Sequence, residues 1–302
     1  MKSERLIDNY RKNKALYWMI LPIIIYVIIF NYLPMFGLTI AFQDYSITRG
    51  ILGSKWVGLK NFIDFFQSLY FGRTLRNTLL LSVNTLVFAF PAAIIFALML
   101  NELRNARFKK MLQTVSYMPH FISMIVAVSL INEFTKGSGI IASIVAMLGG
   151  NPQSYISDPK YFREIFVISE IWQTIGFNSI IYLAALSGIS EELYEAAEID
   201  GAGKIAQLVH VTLPGISSAI IIMLILRCGQ LMNVNFEKVL LMYSPATYET
   251  ADTIQTYVYR IGIIRQKIGY STAVGLFNSI VSLILIVSVN NLSRKYTEIS
   301  MF

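Results

Sequence analysis

Apolar residues in this chain fall in long uninterrupted blocks. The first reads "LYWMILPIIIYVIIFNYLPMFGL" over 16–38. A window of about 20 apolar residues is long enough to cross a bilayer as a helix. Six such blocks predict six transmembrane helices, at about 16–38, 77–100, 112–131, 165–186, 214–233 and 271–291. The expected architecture is an all-α integral membrane protein, with a short tail over 1–15 and a six-helix domain over 16–302. The first block is longer than the roughly 7–15 residues of a signal-peptide core, and no small-x-small site follows it. It is expected to stay as a membrane helix.

Polar positions between the blocks set the orientation. Lys2, Arg5, Arg11, Lys12 and Lys14 precede the first block, and Arg104, Arg107, Lys109 and Lys110 sit in the short link after the second. Both clusters place the N-terminus in the cytoplasm, and with six spans the C-terminus as well. Summed over every link, Lys and Arg fall equally on the two sides, so the orientation rests on these two clusters. The outer links then cover about 41–75, 132–163 and 234–268. In the first, "LKNFIDFFQSLY" repeats Leu59, Phe62, Ile63, Phe66 and Tyr70 at helical spacing. This predicts a short amphipathic helix, lying on the outer membrane surface or against the bundle.

Composition agrees with a membrane protein: 55% of the 302 residues are hydrophobic and 14% charged, where soluble domains carry about 25% charged residues. The net charge of +7 fits cytoplasmic loop residues better than nucleic-acid binding. A single cysteine, Cys228, excludes an internal disulfide. Two histidines and that cysteine, far apart in sequence, make no zinc pattern.

One polar stretch stands out against this background. "EAAEIDGAGKIAQLVHVTLPGI", from Glu195, lies between the fourth and fifth blocks on the cytoplasmic side. Ser190 can cap a first helix whose Glu191 and Glu192 suit the positive end of its dipole. Asp200-Gly201 predicts a turn. A second helix follows over about Lys204 to Val211, and Pro214 sits near the first turn of span five, where proline is tolerated. The embedded "GAGK" is not a phosphate loop: position 198 is Glu rather than Gly, and Ile205 follows the lysine where Ser or Thr is needed. The chain therefore has no ATP site of its own in this stretch.

The stretch resembles the EAA loop of binding-protein-dependent ABC importer permeases. Glu195, Ala196, Ala197, Asp200, Gly201, Ala202, Leu213 and Pro214 match that pattern. Leu208 stands where phenylalanine is common, and Ser218 where a further proline is often found. "NYLPMFGLTIAFQDYSITRGILGSKWVGLKNF" and "YETADTIQTYVYRIGIIRQKIGYSTAVGLFNSIVS" are similar to the oligosaccharide and polysaccharide branch of that family. The resemblance implies a type I importer with a maltose-permease-like bundle in the bacterial plasma membrane, and a coupling loop over about 188–213. It implies a second permease subunit in a heterodimer and two ATP-binding subunits that hold ATP and Mg, this chain itself binding no cofactor. It also implies an external solute-binding protein and an oligosaccharide substrate.

Polar residues inside the blocks are candidates for the substrate path. Arg227 lies near the middle of span five, with Gln230 and Asn233 successive turns further out. Trp172 and Gln173 occupy the outer half of span four. A central arginine is costly in lipid and usually faces a bundle interior or watery cavity. Amide and guanidinium groups suit sugar hydroxyls, and an indole suits a sugar ring face. The competing reading of Arg227 is a pairing with a partner subunit, and that of Trp172 an interfacial anchor. A secondary transporter or channel would need buried acid or histidine relays, whereas Glu133 and Glu170 fall near outer ends. An intramembrane enzyme would need a nucleophile–base pair, whereas His120 and Cys228 read as packing residues.

Overall fold

The structure, a computed structural model, describes residues 13–297. Most of the expected 1–15 tail, with its basic cluster up to Lys12, and residues 298–302 lie outside the described residues. The first helix, α1 (Lys14–Phe42), stands off the rest, with none of its apolar window buried. It widens into a π-turn at Ile28–Tyr32, just ahead of Pro34. Proline has no N–H to give and clashes with the carbonyl four residues back, so the turn before it opens. A short antiparallel pair, β1 (Gln43–Asp44) and β2 (Lys55–Trp56), follows with Gln43 opposite Trp56.

The amphipathic segment is shorter than expected, and its anchor differs. Helix α2 spans Lys60–Phe66, and Ser68 starts the next helix, so Tyr70 belongs to α3 (Leu69–Asn101). Phe65 is the fully buried residue, while Leu59, Ile63 and Phe66 stand exposed. In a membrane protein the outward face is also apolar, so periodicity did not separate the core face from the outer one.

The expected third span, 112–131, is not one helix. Helix α4 (Ala106–Tyr117) ends in a 3₁₀ turn at Met118–Phe121 that contains Pro119. Ser123 then caps α5 (Met124–Thr135) by accepting from the Val126 N–H at 3.4 Å. With α6 (Ile140–Met147), it forms a stretch long and apolar enough to cross, Met124–Met147. The third stretch able to cross is thus displaced toward the C-terminus of the expected span. Helix α7 (Phe162–Leu186) is 25 residues long, about 37 Å at 1.5 Å per residue.

After α7 come α8 (Glu191–Ile199) and α9 (Lys204–Gly215), then α10 (Ser217–Gly229), bent by 61° from α9. The expected span 214–233 is therefore broken at both ends. Pro214 closes α9 rather than opening the span, and a π-turn at Leu208–Thr212 precedes it as one precedes Pro34. Helices α11 (Phe236–Met242), α12 (Ile254–Tyr259) and α13 (Ile268–Thr297) complete the chain. Among the described residues, four helices can cross a membrane by length and composition, and α9 with α10 makes a fifth if the bent pair counts as one span. Helix α7 carries Arg163, Glu164 and Glu170 and falls outside that set.

Helices α3 and α7 form the spine and run parallel. At one end Arg163 donates to the Asn77 side chain at 2.9 Å. At the other, Ala93 and Ala97 pack with Tyr182, Leu186 and Ile216. Ala89, Ala93 and Ala97 fall every fourth residue, which lets backbones approach closely. Helix α4 approaches α7 just as closely: a Cβ on Gly176 would lie 2.3 Å from the Ser116 carbonyl oxygen.

The end of the spine at Asn77 is locked by Asp252, whose side chain is fully buried. Its carboxylate accepts from Arg260 at 2.6 and 2.9 Å and from Arg73 at 3.1 Å. Burial alone would push the Arg260 guanidinium down, but the Asp252 carboxylate bonded to it holds it above its ordinary value. Asn77 donates to the carbonyls of Glu249 and Asp252 at 2.9 and 3.2 Å. Asp252→Ala would leave two arginines without their shared anion, and should cost roughly 3–5 kcal/mol. Arg73→Ala, at a side chain 33% exposed, should cost about 1 kcal/mol or less. Melting of the purified protein reads both, and equal losses would show that the carboxylate is not the lock.

Candidate functional site

Two places collect the polar chemistry. The first is the unit made by α8 and α9. Ser190 caps α8 by accepting from the Glu192 N–H at 3.3 Å. Helix α8 ends where the Gly201 N–H donates to the Glu198 carbonyl at 3.0 Å, and the Ala202 N–H to Ala197 at 2.8 Å. This is a Schellman motif, and it needs a left-handed residue after the cap. Gly201 fills that place with φ +78°, which explains the Asp-Gly-Ala order physically. Two contacts then clamp α8 onto α9. The Tyr194 and Thr212 hydroxyls bond at 3.0 Å, and Gln207 donates to Glu198 at 3.5 Å and to the Ala202 carbonyl at 3.2 Å.

The EAA-loop residues spread over this unit. Glu195, Ala196 and Asp200 are exposed, Ala197 and Ala202 half-buried. Leu213 is half-buried and Pro214 exposed in the last turn of α9. Apolar side chains also face outward: Leu193 on α8 and Ile205 on α9 are exposed, and Ile199 is 87% exposed. The sequence pattern did not single out Leu193 or Ile199. In a chain this apolar, an outward leucine or isoleucine carries no mark.

The second place is a cavity of about 300 Å³ between α3, α7 and α10. Glu170, Thr174, Asn178 and Tyr182 of α7 line it, spaced every fourth residue along one helical stripe. Arg227, Gln230 and Asn233 line the facing wall, and Ser82, Thr85 and Phe90 come from α3. Arg227 sits in the last turn of α10, Gln230 caps it, and Asn233 lies in the turn beyond. The break in span five is what brings these three together. Asn233 is held by Gln255 and Asn278, whose amides donate to its Oδ1 at 2.9 and 3.0 Å.

Trp172 and Gln173 do not line this cavity. Two and three residues on from Glu170, they sit about 200° and 300° around α7 from the stripe. Trp172 is 39% exposed, and Gln173 is buried with its Oε1 unpartnered among the described residues. The missed signal was the spacing of Glu170, Thr174, Asn178 and Tyr182. It is read as a stripe only once α7 is known to face α10.

The cavity carries two charged groups of opposite fate. Glu170 accepts from Lys238 at 2.9 Å; the lysine side chain is fully buried and lies 5.0 Å over the Phe166 ring. Burial pushes the Lys238 ammonium below its ordinary value, against the pull of Glu170. Arg227 has no ion-pair partner among the described residues. Among the described residues, the cavity wall thus carries one positive charge without an ion-pair partner. Among the described residues no cluster of His, Cys, Asp or Glu could hold a metal. His120 stacks on Phe177 with ring centroids 3.9 Å apart, a packing contact.

The family described as binding-protein-dependent transport system inner membrane component matches residues 89–298. Protein LplB of Bacillus subtilis (strain 168) is 45% identical over 293 residues, covering 97% of this chain and 92% of LplB. The polygalacturonan/rhamnogalacturonan transport system permease protein YteP of the same organism is 43% identical over 298 residues, covering 98% and 93%. A solved structure of a bacterial ABC transporter involved in import of the acidic polysaccharide alginate matches with TM-score 0.91 and 39% identity, covering 97% of this chain and 99% of that one. Another shows a bacterial alginate ABC transporter in complex with its alginate pentasaccharide-bound periplasmic protein, with TM-score 0.91, 38% identity, and coverage of 98% and 100%. With its bent α9–α10 pair, its clamped α8–α9 unit and these matches along nearly its whole length, the chain belongs to the binding-protein-dependent transport system inner membrane components and is a membrane permease subunit of an ABC importer.

Proposed function

We propose that this permease carries an oligosaccharide across the bacterial plasma membrane, and that the cavity between α3, α7 and α10 is its part of the path. The carrying observation is the α7 stripe of Glu170, Thr174, Asn178 and Tyr182 set against Arg227 and Gln230. Amide, hydroxyl and guanidinium groups suit sugar hydroxyls, and the Phe90 and Tyr182 rings suit sugar faces. With Glu170 matched by Lys238, Arg227 favours a saccharide bearing a carboxylate. The transporter of the acidic polysaccharide alginate supports that reading, and so does YteP, named for polygalacturonan and rhamnogalacturonan. Trp172 lies off the cavity, where an interfacial role suits its exposure.

The chain works in this reading as one of two permease subunits, with two ATP-binding subunits that hold ATP and Mg and an external solute-binding protein. Six crossings with both termini cytoplasmic complete it, α7 supplying the span that its polar stripe hides from a hydropathy count. The coupling unit over about 188–213 seats on the ATPase through its exposed apolar residues and the small face at Ala196 and Ala197.

In the reconstituted importer, Arg227→Gln should lower uptake of a uronate oligosaccharide about tenfold or more, the order expected for one charge-assisted hydrogen bond. Uptake of a neutral oligosaccharide should change by less than about twofold. A matching fall for both sugars would sink the charge assignment.

Gly201→Val forces a β-branched residue into the left-handed region, at a local cost of roughly 1–3 kcal/mol. Together with Ala196→Trp, it tests the coupling unit. Each variant should insert and assemble with its partner permease, yet lose most of the ATP hydrolysis stimulated by loaded binding protein. Wild-type stimulation in both would remove the unit from the coupling path.

A further inference from the structure

A second concavity, of about 630 Å³, lies far from the coupling unit, where α1 ends and α13 begins. Lys55, Lys60, Arg265 and Lys267 line it against only two carboxylates, Asp44 and Asp64. None of these six groups is in an ion pair among the described residues. Tyr45, Tyr70, Tyr257 and Tyr270 complete the wall, and the last two bond hydroxyl to hydroxyl at 3.1 Å. The floor is shut tightly: a Cβ on Gly269 would lie 2.4 Å from the Gln43 carbonyl oxygen.

Gln43 in this wall carries a buried acceptor without a partner among the described residues. Gln43 is 7% exposed, and its amide donates to the Ile51 carbonyl at 2.9 Å. Its Oε1 accepts nothing among the described residues. A buried acceptor left unpaired costs about 1–3 kcal/mol, so a ligand with a hydroxyl or N–H donor would relieve it.

Depth and surroundings decide what the ligand is. Gln43 directly follows the last residue of α1, and Lys267 directly precedes α13, so the cleft sits where two apolar spans stop. That is the headgroup level of a bilayer, where tyrosines also gather. Around it Leu59, Ile63, Phe66, Leu69, Ile263 and Ile264 are exposed. Helix α2 turns Lys60, Asn61 and Asp64 to the cleft and leaves Ile63 and Phe66 outside, the pattern of an interfacial helix.

We propose that this cleft binds the headgroup of an anionic phospholipid. The lysines and Arg265 take the phosphate through charge-assisted hydrogen bonds. A hydroxyl of a glycerol-type headgroup donates to Gln43 Oε1. The acyl chains cover the apolar rim, which a saccharide would leave bare.

The assembled importer tests this in nanodiscs of phosphatidylcholine doped with phosphatidylglycerol, transferred to mild detergent and weighed by native mass spectrometry. The expected result is one phosphatidylglycerol retained per copy of this chain and no phosphatidylcholine. The double variant Lys60→Gln with Lys267→Gln should lower the retained fraction about tenfold. Lys109→Gln with Lys110→Gln, removing the same charge elsewhere, should leave it unchanged. Gln43→Leu should lower retention of phosphatidylglycerol at least threefold. Excess free glycerol phosphate should fail to displace the lipid, since it offers nothing to the apolar rim. The proposal is overturned by equal retention in the Lys60/Lys267 variant, by equal binding of phosphatidylcholine, or by displacement with free glycerol phosphate or a uronate oligosaccharide. No arm reads transport, so failure here leaves the sugar-path reading standing.

Discussion

A backbone N–H or carbonyl in hydrocarbon must find a partner within the protein, and this fold depends on where that rule is relaxed. Between α10 and α11 the chain leaves the helix at Gln230 and does not resume until Phe236. Several of the freed groups there are taken up locally. The Gln230 and Leu231 N–H groups bond to Arg227 and Cys228, the Leu231 carbonyl accepts from Ser82, and Asn235 caps α11 through the Lys238 N–H. Irregular backbone at that level is tolerable only against protein or a watery space, and the cavity provides the second. The break and the cavity are thus one feature seen from two sides.

The buried charges follow the same logic. Asp252 and Glu170 both lie toward the end of the bundle remote from α8 and α9, and each is matched by cations from a different part of the chain. Asp252 ties α3 to the segment leading into α12. Glu170 ties α7 to α11 through Lys238, while also lining the cavity. A buried pair is weak evidence for stability, but losing one partner is expensive. Any opening of the cavity at this end that separates α11 from α7 must therefore carry the Glu170–Lys238 pair along or let water reach it.

At the opposite end, packing replaces charge. Tyr182 lines the cavity and also belongs to the cluster with Leu186 and Ile216. Leu186 closes α7 just before α8, and Ile216 sits at the bend between α9 and α10. Gly215 keeps that bend tight, since a Cβ there would lie 2.7 Å from the Ile189 side chain. A rigid, close-packed contact thus runs from the cavity wall to the clamped pair α8–α9. Such contact is what lets a small movement at one place be felt at the other.

The apolar blocks alone determined that the chain is helical and lives in a membrane, because block length against bilayer thickness is a local property. The α8–α9 unit was equally legible: Ser190, Gly201 and the match at Glu195, Ala196, Ala197 and Asp200 act through bonds to near neighbours in sequence. Helix breaks were less so. Pro119 and Pro214 are visible, but whether a proline ends a helix or is absorbed by a π-turn depends on what packs against it. The cavity was legible only in part. Arg227, Gln230 and Asn233 stood out as polar residues in an apolar run, yet only the fold of the turn after Gly229 sets them on one wall. Trp172 and Gln173 were equally conspicuous and lie off it, because the rotation of α7 about its axis is fixed by its contacts with α3 and α4. Sequence thus settled what each segment is, through length, composition and local hydrogen bonds. Which face of each helix meets the cavity was decided by tertiary packing alone, since in lipid the inward and outward faces are both apolar.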